Sequence, residues 1–157
     1  PYYNEIVKVS VSGQMILDAL EFSVSFLPKR VGGFLQVSGI SFSVNPDLGS
    51  SVQTDEKKQF ICVEGDRLVH DVTIAGRALD PKAEYTLAIN MFLLTGGDGY
   101  TMFKEADILE TMPLPDNEML MKYIEENLGG VIPEKYGEPL GRIQWTTREY
   151  PASILQK

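Results

Sequence analysis

The residues best suited to chemistry lie close together in one run, Asn90-Met91-Phe92-Leu93-Leu94-Thr95-Gly96-Gly97-Asp98-Gly99-Tyr100. A single carboxylate, Asp98, stands among three glycines, Gly96, Gly97 and Gly99, with aromatic rings at Phe92 and Tyr100 on either side. Glycine leaves room for close approach and for backbone conformations that a side chain would block. A flat ring could then lie on an aromatic face while Asp98 accepts hydrogen bonds from neighbouring hydroxyls, a common mix of apolar wall and placed polar groups. The same run has a structural reading, as a tight strand-to-helix connection with Asp98 as N-cap of a helix through Phe103 and Ala106. The loop alone leaves both open. A calcium reading is discounted, because glycine-aspartate calcium loops come in tandem arrays and this one occurs once. Phe34 follows Gly32-Gly33 and could be presented in a loop, although a lone Phe is more often core.

The elements that must position these residues are read from periodicity. Tyr85 to Asn90 is short and apolar and follows a Pro-Lys-Ala-Glu turn, which fits a buried strand entering the glycine loop. From Asn4 to Val11 the β-branched Ile6, Val7, Val9 and Val11 predict a strand. Met15, Ile16, Ala19, Leu20, Val24 and Leu27 then recur at helical spacing, with Ser12 as the cap and an end before Pro28. Glycines bracket a strand between Gly32 and Val44, where Ile40, Phe42 and Val44 alternate with serines. Pro46 to Lys58 is polar and turn-rich and reads as a surface loop or hairpin excursion. Phe60 to Val63 and Arg67 to Ile74 are strand candidates around a Glu64-Gly65-Asp66 turn. Asp107 to Pro115, with two prolines, reads as an extended connection. Asp116 caps a further helix carrying Met119, Leu120, Tyr123, Ile124 and Leu128 and closed by Gly129-Gly130. Gly141 to Trp145 reads as a closing strand and the tail to Lys157 as peripheral. The fold class expected is α/β (α+β), with mixed β-sheets and covering helices.

Composition narrows the function. At 157 residues and 43% hydrophobic content the chain is expected to be one globular domain, 1–157. A formal charge of -8 argues against a surface that tracks nucleic acid polymer, which needs clustered Lys and Arg, but leaves a small ligand open. Cys62 is the single cysteine, so neither an internal disulfide nor a cysteine-rich zinc site is available, and it reads as a buried small hydrophobe. His70 is the single histidine and gives neither a metal cluster nor a nucleophile-histidine-acid arrangement. The opening Pro1-Tyr2-Tyr3-Asn4 has no initiator Met, no signal segment and no membrane span, and reads as cut from a longer chain.

Several segments together resemble the C-terminal domain of the 5′-nucleotidase family: Pro1-Tyr2-Tyr3-Asn4 ahead of the Ser12-Gly13 helix, Gly33-Phe34-Leu35-Gln36-Val37-Ser38-Gly39, the Asn90 to Tyr100 run, and Gly141-Arg142-Ile143. The resemblance implies a four-layer α/β/β/α arrangement and a division of labour. An N-terminal metallophosphoesterase domain with two divalent metal ions would remove phosphate from nucleotides, while this domain binds the nucleoside. The base would be clamped between Phe34 and Phe92 and the ribose hydroxyls held by Asp98, with Asn90, Gly96, Gly97 and Gly99 supporting the loop. No catalytic residue, metal site or cofactor is expected in this chain itself, which alone should release no phosphate. An Asn-rich, Gly-Gly-X-Arg segment of the family is expected before Pro1. The implied partners are a nucleotide or nucleoside and the N-terminal domain of the same polypeptide, and the implied location is extracellular, periplasmic or cell-surface. A 2′,3′-cyclic nucleotide phosphodiesterase, a nucleotide-sugar hydrolase and a non-catalytic binding module are the alternatives.

Overall fold

A computed structural model describes residues 3–146 of the chain. Strand β1 (Glu5–Ser12) alternates as its sequence demands, with Val7, Val9 and Val11 buried and the residues between them half-buried. Ser12 ends the strand and starts helix α1 (Gly13–Val24), its hydroxyl oxygen accepting a hydrogen bond from the Met15 amide at 3.2 Å. The helix is buried around most of its circumference, at Ile16, Ala19, Leu20, Glu21, Phe22, Ser23 and Val24. It contacts β1, β4 (Phe60–Val63) and β5 (Val69–Ile74). Each of its large apolar side chains stabilises the fold by roughly 1.5–3 kcal/mol.

Glu21 is a charged residue at the centre of this packing. Its two carboxylate oxygens accept hydrogen bonds from the amides of Leu68 and Val69, both at 2.9 Å, so a buried polar group is satisfied and the start of β5 is fixed to the helix. Arg67 adds a second tie, donating to Asp18 and to the carbonyl of Leu17.

The remaining elements are β2 (Ile40–Val44), β3 (Val52–Thr54), β6 (Arg77–Ala78), β7 (Glu84–Asn90), α2 (Met91–Leu94), β8 (Asp107–Pro115), α3 (Asp116–Asn127) and β9 (Ile143–Trp145). They form a three-stranded antiparallel sheet in the order β7-β1-β8, a four-stranded sheet β6-β5-β2-β9 in which β9 runs parallel to β2, and a β3-β4 hairpin. The fold is mixed α/β, as expected.

Several expectations change. Asp107 to Pro115 is a nine-residue strand paired with β1, because its prolines lie on a sheet edge where a missing amide donor costs little. The Glu64-Gly65-Asp66 turn does not join a hairpin: β4 pairs back with β3, which lies in the stretch read as a surface loop or hairpin excursion, and β5 pairs with β2. The bracketed strand is confined to Ile40–Val44, so Phe34 lies in a segment ahead of it. Helix α3 buries no residue, and Asp116 is not its side-chain cap: its amide donates to the Asn4 carbonyl at 2.9 Å and its carboxylate accepts from the Asn4 side chain at 3.2 Å. Cys62 is half-buried rather than buried. The tail beyond Thr146 lies outside the described residues.

Candidate functional site

The site begins where β7 ends. Asn90 leaves the strand in extended conformation and its side-chain oxygen accepts from the Leu93 amide at 2.9 Å, capping the single turn of α2. That turn buries Leu94 and leaves Phe92 46% exposed. Gly96 then reverses the chain at φ 90° and leads into a tight turn, Gly97–Gly99, in which Asp98 itself takes φ 52°. Asp98 is thus not a helix cap. No hydrogen bond from its side chain caps the turn, and the helical turn after it (Thr101–Glu105) is also without a side-chain cap.

The glycine between Phe92 and Asp98 is required by contact. A Cβ at Gly97 would stand 2.5 Å from the Phe92 carbonyl oxygen and 2.6 Å from two of its ring carbons. The Phe92 ring therefore rests directly on the Gly97 backbone, one residue from Asp98. The Asp98 carboxylate is exposed and makes no hydrogen bond or ion pair among the described residues.

The second aromatic arrives from a distant part of the chain. A Cβ at Gly33 would be 3.3 Å from the Asp98 Cβ and 3.4 Å from its Oδ2, so the residue preceding Phe34 lies against the carboxylate. Two hydrogen bonds hold it there. The Tyr100 hydroxyl donates to the Gly33 carbonyl at 2.5 Å, and the Leu35 amide donates to the Ser23 hydroxyl oxygen at 2.8 Å. Phe34 is half-buried and packs against the core on one side, where it lines a small apolar cavity with Leu27, Val31 and Trp145. The structure thus brings the Phe34 segment, Phe92 and Asp98 to one place, although Gly33 and Tyr100 are 67 positions apart in the chain.

Tyr100 is the keystone of this arrangement. Its ring is 1% exposed and meets Phe22 edge to face at 5.0 Å, in a cluster that continues to Phe26 and Phe60. Burial pushes its phenol pKa up to about 12, with the Asp98 carboxylate adding to the rise and the Ser23 hydroxyl opposing it. Sequence reasoning noted Tyr100 as a flanking ring and missed its anchoring role. It also missed Ser23, which nothing in the linear pattern marks, and Lys104, whose side chain lies across Gly96 with Nζ 3.1 Å from where a Cβ would be.

Metal ligation finds no support among the described residues, where no group of three or more His, Cys, Asp or Glu side chains is placed to hold an ion. The His70 Nδ1 is 2.8 Å from Asp71 and its Nε2 3.4 Å from the Thr146 hydroxyl. No helix among the described residues is long and apolar enough to cross a membrane.

A family model described as "5'-nucleotidase, C-terminal domain" matches residues 1–105, a span that holds β1, α1, the Phe34 segment and the whole glycine loop. The chain belongs to that family. It is 32% identical over 156 residues to "Protein 5NUC" of Lutzomyia longipalpis, covering 96% of this chain and 26% of that one. It is 29% identical over 126 residues to "Cell wall protein Lmo0130" of Listeria monocytogenes, covering 80% of this chain and 14% of the relative. Among solved structures, a 5'-nucleotidase precursor from Thermus thermophilus superposes with a TM-score of 0.74 at 29% identity, covering 95% of this chain and 26% of that chain. The chain thus spans about a quarter, or less, of the length of the relatives it matches.

Proposed function

We propose that this domain holds the nucleoside end of a nucleotide for a phosphohydrolase whose chemistry is carried by other residues of the polypeptide. In this reading the base lies against Phe92 and Phe34, and Asp98 accepts hydrogen bonds from the two ribose hydroxyls. The observation that carries it is the placement of an exposed, unpartnered carboxylate between an exposed aromatic ring and the backbone leading to a second. An exposed Phe on a one-turn helix offers a π-face to any base, and a carboxylate beside it offers two acceptors to a diol. Family membership and the nucleotidase title of the Thermus thermophilus structure support the hydrolase assignment.

The domain's share of catalysis is positioning. Fixing the nucleoside fixes the phosphate relative to groups elsewhere, so binding energy far from the phosphorus lowers the barrier there. The described residues do not fit a dimetal centre, and no step is assigned to metal ions in this chain. The two divalent ions of the reading belong to an N-terminal domain. An extracellular, periplasmic or cell-surface location accords with the cell wall name of the Listeria relative.

The test compares AMP with 2′,3′-dideoxy-AMP on the hydrolytically active longer polypeptide. The parent should favour AMP, and Asp98→Asn should reduce that preference at least tenfold in kcat/KM, with little effect on the dideoxy substrate. Asparagine tolerates the positive φ of this position, so the change removes charge without straining the turn. Equal loss on both substrates would remove Asp98 from the ribose.

A further inference from the structure

The cavity on the core side of Phe34 measures about 280 Å³. Leu27, Pro28, Val31, Phe34 and Trp145 give it an apolar wall, and Lys29 and Arg30 bring positive charge to it. No acidic side chain lines it among the described residues. Phe34 and Trp145 are each half-buried, so both rings keep apolar surface uncovered there. An apolar cavity of ~150 Å³ accepts a benzene ring, while sites for drug-sized ligands begin near ~300 Å³. The volume therefore suits one aromatic side chain better than a whole small molecule.

The chain leaves the described residues from the wall of this same cavity. Trp145 closes β9, and the Thr146 amide donates to the Val44 carbonyl at 3.1 Å, so the following residues, Thr147-Arg148-Glu149-Tyr150-Pro151, start at its edge. Between 147 and 157, Tyr150 is the only aromatic residue and Glu149 the only acidic one. Tyr150 can lie up to about 17 Å from Trp145 along an extended chain, ample to reach the cavity. Pro151 disfavours helical backbone at Tyr150 and so favours an extended approach.

We propose that the segment after β9 turns back so that Tyr150 fills this cavity, its ring against Phe34 and Trp145, with Glu149 facing the Lys29-Arg30 pair. Two observations choose this occupant over a second copy of the chain. The segment is continuous with a wall residue, so Tyr150 is present at high effective concentration whatever the protein concentration. Its one negative charge directly precedes its one aromatic ring, matching a positive pair beside an apolar wall. A consequence follows that rests on the reading of Phe34 as a wall for the base. A filled cavity keeps the Phe34 ring from turning inward, and Tyr150 becomes a positioning residue for the base.

The test places a single fluorotryptophan at position 145 of the longer polypeptide and reads its fluorine NMR resonance. Tyr150→Ala should move that resonance and enlarge its shift between light and heavy water, because solvent reaches a ring that Tyr150 had covered. Tyr150→Phe, which keeps the ring, and Ile154→Ala should both leave it near the parent. A resonance that ignores Tyr150→Ala, or answers equally to Ile154→Ala, overturns the proposal. A parental resonance that changes as the protein is diluted also overturns it, in favour of a second copy. Tyr150→Ala should in addition raise KM for AMP by roughly threefold or more at unchanged kcat. A responding resonance with an unchanged KM leaves Tyr150 in the cavity and removes Phe34 from the base.

Discussion

Removing the Phe92 ring separates binding from folding more cleanly than any other change at the site. A Phe side chain presents about 200 Å² on average, so the 46% of Phe92 left uncovered corresponds to roughly 90 Å². If a base covers most of that area, the contact is worth about 2 kcal/mol at ~25 cal/mol per Å², close to the ~1–3 kcal/mol of a base-aromatic stack. A loss of that size is roughly a 30-fold change in affinity. The assay is steady-state hydrolysis of AMP by the longer polypeptide carrying Phe92→Ala. KM should rise by about that factor while kcat changes little, since the ring holds ground state and transition state alike. Circular dichroism and thermal denaturation control for lost packing against Gly97. A variant that melts as the parent does and keeps the parental KM refutes the stacking role, and a fall in kcat at unchanged KM refutes the argument that the ring acts by uniform binding.

Glu21→Ala strips the acceptors from two buried amides, Leu68 and Val69, and should cost about 3 kcal/mol, seen as a drop in melting temperature of roughly 6–12 °C. Glu21→Gln, which keeps one acceptor, should cost clearly less. Tyr100 should link stability to alkaline pH: its phenol ionises near 12 when folded against 10 otherwise. The neutral form then contributes up to about 2–3 kcal/mol, present in full below pH 10 and lost as pH rises to 12. Tyr100→Phe should abolish that part of the pH dependence of chemical denaturation, and an unchanged slope between pH 10 and 12 would contradict the assigned burial.

Local pattern carried much of the fold. The Val7-Val9-Val11 alternation, the Ser12 cap and the Ile40-Phe42-Val44 alternation each have one physical cause and sit where the spacing puts them. What failed depended on partners. Strand β8 has mostly exposed residues and two prolines, so neither alternation nor propensity marks it, and its status comes from β1 alongside. The pairing of β4 with β3 rather than β5 is a choice among neighbours that a turn signal cannot make. At the site, the glycine loop was legible because close approach demands glycine. The support from Ser23, Gly33 and Tyr100 was not, because a hydroxyl meeting a backbone carbonyl 67 residues away leaves no trace in either segment. Asp98 as a helix cap was a sound reading of the sequence that the left-handed conformation at that residue overruled.

Helix α3 buries none of its side chains and meets the body mainly through β8. Its closing bond, from the Gly130 amide to the Ile124 carbonyl at 2.9 Å, is its own. A helix of twelve residues that buries none of them fully gains little from packing and has little intrinsic stability in water, so its opening lies at the low end of the protein's local free energies. Far-ultraviolet ellipticity would then record two events on heating, while the buried Tyr100 and Phe22 cluster records one. A protease would find the segment around Met119 to Tyr123 accessible in a molecule whose core remains closed, and the fragment so released would leave β1, α1 and the Phe92 loop intact.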